Sequence, residues 1–280
     1  MTVLEKSNPG FLNYSLHLCC NPLEYMEYVL IILVAVLPAV GLLYFINWKD
    51  KYRKEPIGLL WKGFGYGVLA AIAATLLGFV LGLSGLAIGQ GNTIWGHLRV
   101  AFFEAAIPEE IIKFFFLWLL LRKNRYYDEY FDGIVYAASI GLGFAAFENI
   151  FYLLQNYDTW VSVGIIRAVI SIPGHFMFAI TMGYFYAKAT FGDQTQRKIN
   201  LALAMIFPIL LHAAFDATLM VSQILAGALA AFYSLYIYMV EKSKRRGRDH
   251  LALDKKNMGI GRESIQPEAH NPEKTAKTSA

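Results

Sequence analysis

The chain is 280 residues long, 56% hydrophobic and only 16% charged, with a formal net charge of +4. So apolar a composition excludes an ordinary soluble domain and predicts an all-α polytopic membrane protein. The net charge says little about partners, because the positive residues are unevenly placed, and nucleic-acid binding is not expected; the one basic run, Lys242 to Arg248, follows the last apolar stretch and suits a topology or anionic-lipid role. The first 25 residues show no basic-then-apolar leader, so no cleaved signal peptide is expected. Cys19 and Cys20 are neighbours, with Cα atoms about 3.8 Å apart against the ~4.4–6.8 Å of a usual disulfide, and imply no disulfide framework. Seven transmembrane spans follow in order: Tyr28–Ile46, Ile57–Leu83, Leu98–Leu121, Gly133–Leu154, Gly164–Ala187, Ile199–Met220 and Ser222–Val240. They divide the chain into an exoplasmic segment (1–27), a transmembrane domain (28–240) and a polar tail (241–280) expected to be cytoplasmic and disordered. Span two is rich in glycine, which suits close helix packing. Lys and Arg cluster after spans one, three, five and seven and are missing from the loops between, so the N-terminus is expected outside and the C-terminus in the cytoplasm of a cell-membrane protein. No internal repeat is visible, and the oligomeric state is not readable from the sequence.

Span three is unusual. From Val100 to Leu121, thirteen Leu, Ile, Phe and Val residues contribute about −6 kcal/mol to insertion, while Glu104, Glu109, Glu110 and Lys113 oppose it by about 12. Such a helix inserts poorly alone and must be sheltered by others. Intramembrane carboxylates at that cost are functional candidates. Ionisable groups well inside spans occur only in spans three to six: the four just named, Glu148 in span four, Arg167 and His175 in span five, His212 and Asp216 in span six. Glu109, Glu110, His175 and His212 fall near their span midpoints, with Glu148 and Asp216 somewhat further out and Arg167 near the outer interface. Four helices thus bring carboxylates and imidazoles to a common level, and one buried polar site formed by spans three to six is expected.

Spacing refines this. Lys113 lies four residues from Glu109 and three from Glu110, so it can pair with either. The two glutamates diverge by about 100° around the helix and are expected to differ in role. His212 and Asp216 are four apart, which suits a carboxylate beside an imidazole. Pro108, Pro173 and Pro208 precede three of these groups, and kinks there would open a water-accessible pocket. Glu104 and Arg167 read as structural or interfacial, and His97 as incidental.

Four motifs in this order, Glu109-Glu110-x-x-Lys113, the run Gly141 to Tyr152 containing Glu148-Asn149, Pro173-Gly174-His175, and His212-x-x-x-Asp216, resemble the PrsW family of intramembrane proteases. More distantly they are similar to the superfamily of CAAX prenyl endopeptidases and bacteriocin-processing proteins. Lys54-Glu55-Pro56 also looks like the family, and the resemblance runs from about Lys54 to Met220. It implies a polytopic protease that cuts a membrane-tethered protein, an anti-sigma factor in the best-known role, with Glu109, Glu110, Glu148, His175 and His212 in the active site and Asp216 beside them. No His-Glu-x-x-His helix of the zincin type is present.

On this reading Glu109 or Glu110 is the general base for a water held by His175 and His212. If a metal is present, zinc is expected on His175 and His212 with Glu148 or Asp216 as third ligand; without one, an imidazole or Asn149 donates to the oxyanion. Lys113 balances charge. A proton- or cation-coupled transporter also uses midplane carboxylates and histidines and is the alternative; a non-catalytic receptor or scaffold gives no reason for the buried set.

Overall fold

The computed structural model describes residues 22–50, 54–83, 94–221, 234–235 and 237–249, and among these it contains helices and no strand. In chain order the helices are α1 (Pro22–Lys49), α2 (Ile57–Leu83), α3 (Ile94–Arg99), a π-helix (Val100–Ala106), α4 (Ile107–Leu121), α5 (Tyr130–Gln155), α6 (Trp160–Val169), α7 (Ser171–Phe191), α8 (Arg197–Val221) and a last segment, α9, at 237–249.

The bundle is organised around α5. Every residue from Phe131 to Ala146 is buried, as expected of a helix apolar on all sides and enclosed by others. Helices α7, α2 and α1 pack directly on it. Apolar burial drives little inside a bilayer, where the lipid is as apolar as leucine, so close backbone approach has to hold such a bundle together. The glycines supply it: a Cβ on Gly143 would collide with the Phe64 carbonyl oxygen of α2, and one on Gly67 with the Ile140 carbonyl of α5. The outward faces of α1 and α2 present Leu33, Leu37, Leu69, Leu76 and Phe79, which face the hydrocarbon.

Five helical segments among the described residues are long and apolar enough to cross a membrane: Tyr25–Lys49, Ile57–Val80, Tyr130–Gln155, Tyr157–Phe191 and Gln194–Leu219. They correspond to five of the seven predicted spans. The third predicted span is helical from Ile94 to Leu121, with the charges of Glu104, Glu109, Glu110 and Lys113 diluting its apolarity. The seventh falls mostly outside the described residues. The chain is helical at 237–249, past the Glu241 boundary proposed for the tail, and the N-terminal segment and the rest of the tail lie outside the described residues.

The three prolines act differently. Pro173 has no N–H for the Val169 carbonyl and its ring crowds that oxygen, so predicted span five is not one helix: it ends at Val169 and restarts at Ser171, with Ile170 at φ −112°, ψ −61°. Pro108 follows the π-helix, whose wider register lets the Ile107 N–H reach Phe102 O. Pro208 sits inside an unbroken α8.

The start of α5 is fixed by a capping box: the Glu129 side chain accepts from the Asp132 backbone, and Asp132 Oδ2 accepts from the N–H groups of Glu129 at 2.7 Å and Asp128 at 2.9 Å. Asp50 and Glu55 join them in a second acidic cluster, distant from the predicted site. The Tyr136 hydroxyl donates to Glu55, and burial pushes the Glu55 carboxyl up to about 7.

Candidate active site

The predicted groups converge. Glu109, Glu110 and Lys113 come from the first turns of α4, Glu148 from α5, His175 from α7, and His212 and Asp216 from α8. Lys113 is the hub. Its Nζ donates to Glu110 Oε1 at 2.8 Å and to Glu109 Oε2 at 3.3 Å, and reaches His175 Nδ1 at 3.2 Å. The ammonium lies 3.8 Å from the Phe144 ring centroid, a cation–π contact that compensates part of its desolvation.

An ammonium has no lone pair, so His175 Nδ1 accepts from Lys113 and the ring proton sits on Nε2, which donates to Glu148 Oε2 at 2.7 Å. His212 lies between carboxylates, Nδ1 at 2.9 Å from Glu110 Oε1 and Nε2 at 3.3 Å from Asp216 Oδ2. Phe178 stacks on His212 at 4.6 Å and meets His175 edge-on at 5.8 Å, holding both rings.

The two adjacent glutamates occupy different surroundings. Glu110 is fully buried, tied by Oε1 to Lys113 and His212, and its Oε2 has no hydrogen-bond partner. The Glu109 side chain is 16% exposed and lines a cavity of about 300 Å³ together with Glu148, Arg167, His175, His212 and Asp216. Tyr152, Ser171 and Phe215 complete much of its wall.

Sequence reasoning set Arg167 aside, and the structure brings it in. The break at Ile170 puts it on the separate helix α6, where Nη2 lies 3.0 Å from Glu148 Oε2, Nε donates to Asn149 Oδ1 at 2.7 Å, and the guanidinium stacks on Tyr152 at 3.8 Å. Pro173 was the available signal, since it ends the helix that carries Arg167. Asn149 is buried beneath Arg167 and is not among the cavity-lining residues. Glu104 is exposed on the π-helix, outside the cluster.

The donor set suits a metal ion. One ligand atom from each of Glu109, Glu110, His175 and His212 lies within 4.8 Å of all the others. Imidazole and carboxylate are the ligand types of catalytic zinc sites, and the unpartnered Glu110 Oε2 is a free buried acceptor. Glu148, expected as a third ligand, is not in this group of four. Its Oε2 accepts from His175 Nε2.

A family model described as PrsW family intramembrane metalloprotease matches residues 55–241. The chain belongs to the PrsW family. It is 36% identical to Protease PrsW of Clostridioides difficile (strain 630) over 214 residues, which is 76% of this chain and 88% of that protein. It is 33% identical to Protease PrsW of Geobacillus kaustophilus over 69% of this chain and 81% of that one, and 32% identical to Protease PrsW of Bacillus subtilis (strain 168) over 66% and 81%. No solved structure matches. As a PrsW-family protein it is a membrane-embedded peptidase, a hydrolase rather than a transporter, acting on a membrane protein in a lipid environment, and the family suggests a metal.

Proposed function

We propose that the chain hydrolyses a peptide bond of a membrane-tethered protein, an anti-sigma factor in regulated proteolysis, and that Glu109 is the general base. The carrying observation is that Glu109 opens onto the cavity while Glu110 is buried under Lys113 and His212. Glu109 accepts the proton of a water in the cavity and that water attacks the scissile carbonyl carbon. The tetrahedral oxyanion is met by the Arg167 guanidinium, which lines the cavity and whose Nη2, ion-paired with Glu148, has no hydrogen-bond partner. Glu109 then returns the proton to the leaving amine. Glu110 and Lys113 hold His212 and His175 in place, and Glu148 fixes the His175 tautomer.

Zinc is the ion this set of donors suits; His175, His212 and Glu110 would hold it, and it would lower the pKa of water and polarise the carbonyl. The N-terminus lies outside and the C-terminus in the cytoplasm, a topology supported by the basic residues after spans one, three, five and seven. The cavity then faces the outer half of the cell membrane, and the segment before α1 is exoplasmic.

The test is cleavage of a tethered reporter by full-length protein in proteoliposomes. Glu109→Gln is expected to lower the rate about 10³-fold with the helical content unchanged; cleavage near the wild-type rate removes Glu109 from the role of base. Metal content is measured on the same preparations. Near-unit zinc in the wild type that is lost in His212→Ala supports the metal centre, and metal-free protein that still cleaves leaves a glutamate–histidine peptidase.

A further inference from the structure

At the end of the bundle away from the catalytic cavity, a second cavity of about 460 Å³ opens between the C-terminus of α7, the start of α8 and α9. Lys188 of α7 and Arg246 of α9 line it. Lys242, one turn before Arg246, is close enough to act on the Lys188 charge. Among the described residues neither Lys188 nor Arg246 forms an ion pair with an acid. The Arg246 guanidinium is held instead between the rings of Tyr130 and Tyr184, 5.9 and 5.7 Å from their centroids. Like charges gathered in this way repel one another unless an anion joins them.

A buried side chain points to what that anion is. Asn200 of α8 lines the cavity, is 2% exposed, and its Nδ2 donor has no hydrogen-bond partner. A buried donor left unmade is costly, and an anionic oxygen would satisfy it. Asp193 and Asp249 stand on the same cavity and limit the charge it accepts. Asp193 already accepts from Thr195 N at 2.9 Å and Thr195 Oγ1 at 2.7 Å. Lys188 and Arg246 balance Asp193 and Asp249 around the cavity, and Lys242 beside it adds a single positive charge, matched to a phosphodiester rather than to a dianionic phosphate monoester. The cavity also sits where α7 ends at Phe191 and α8 begins at Arg197, the level at which lipid phosphates meet helix ends.

We propose that this cavity is a binding site for the phosphodiester of an anionic phospholipid, with Lys188 and Arg246 supplying charge and Asn200 a directed hydrogen bond. The site is separate from the catalytic groups and does not depend on the protease reading. It clamps α9 onto α7 and α8 through a lipid rather than through a protein ion pair.

The test is native mass spectrometry of the full chain in detergent, titrated in parallel with phosphatidylglycerol, phosphatidylcholine and soluble glycerophosphoglycerol. Phosphatidylglycerol is expected to bind about tenfold more tightly than phosphatidylcholine. Arg246→Gln and Asn200→Leu are each expected to weaken it about five- to tenfold, and Asp249→Asn to strengthen it. Arg246 is partly exposed, so its variant keeps the test decisive if Asn200→Leu folds poorly. Equal binding of the two lipids, or unchanged phosphatidylglycerol affinity in Arg246→Gln, overturns the proposal. Glycerophosphoglycerol binding as tightly as the lipid overturns the bilayer as the source of the anion.

Discussion

Two buried acidic clusters lie at opposite ends of α5, and they do different things. Near its C-terminal half, Glu109, Glu110, Glu148 and Asp216 are interleaved with two imidazoles, Lys113 and Arg167, and open on a cavity. At its N-terminus, Asp50, Glu55, Glu129 and Asp132 gather with Tyr136 and have no histidine among them. Burial of carboxylates alone therefore does not mark a reactive centre. What sets the first cluster apart is donors and acceptors alternating around two imidazole rings, with access for water and a peptide. The second uses Glu129 and Asp132 in a helix cap and Glu55 to hold a tyrosine.

The sharpest separation comes from matched substitutions. Glu109→Gln is expected to abolish about three orders of magnitude of cleavage without moving the unfolding midpoint. Glu55→Gln is the mirror case, leaving cleavage intact and changing how stability depends on pH. The folded Glu55 keeps its proton up to about pH 7, while the unfolded chain releases it near the ordinary value of 4.5. The folded state thus binds more protons across that window, and stability falls as pH rises through it, by at most about 3 kcal/mol. Unfolding measured from pH 4 to 8 should show that slope in the wild type and a shallower one in Glu55→Gln; an unchanged slope removes Glu55 as a source.

Gly143→Ala tests what joins the two ends. Its methyl meets the Phe64 carbonyl, so α2 must move from α5, at an expected cost of about 2 kcal/mol in thermal or denaturant unfolding, with cleavage reduced alongside. An unaffected midpoint would mean that this contact gives way freely. The smallest expected effect is Asp132→Ala, which removes one arm of the capping box for about 1 kcal/mol and leaves cleavage unchanged.

The apolar runs made most helices legible, and the i,i+4 spacings of Glu109 with Lys113 and His212 with Asp216 foretold contacts that exist. The convergence of spans three to six was legible because intramembrane charge is rare enough to be conspicuous. What stayed hidden depends on rotation and on distant packing. Nothing local says which of two adjacent glutamates faces the cavity; that follows from the phase of α4 against α5 and α8. Arg167 reads as interfacial only while the stretch through Pro173 is one helix, and the break at Ile170 removes that. The Asp50, Glu55, Glu129 and Asp132 cluster joins residues roughly eighty positions apart that read singly as loop ends.

The π-helix before Pro108 also bears on how this chain tolerates change in length. Its flank packs on α8 through Phe102, Ala106 and Ile107 against Met205, Ile209 and Ala213, while α4 beyond it presents Glu109 to the cavity. A π turn carries one residue more than an α turn, and each residue turns a helix by about 100°. Deleting one residue between Val100 and Ala106 would regularise the hydrogen bonds and swing both glutamates about 100° relative to that flank. The wide turn works as a vernier, and over these seven residues the spacing of the chain matters as much as its lettering.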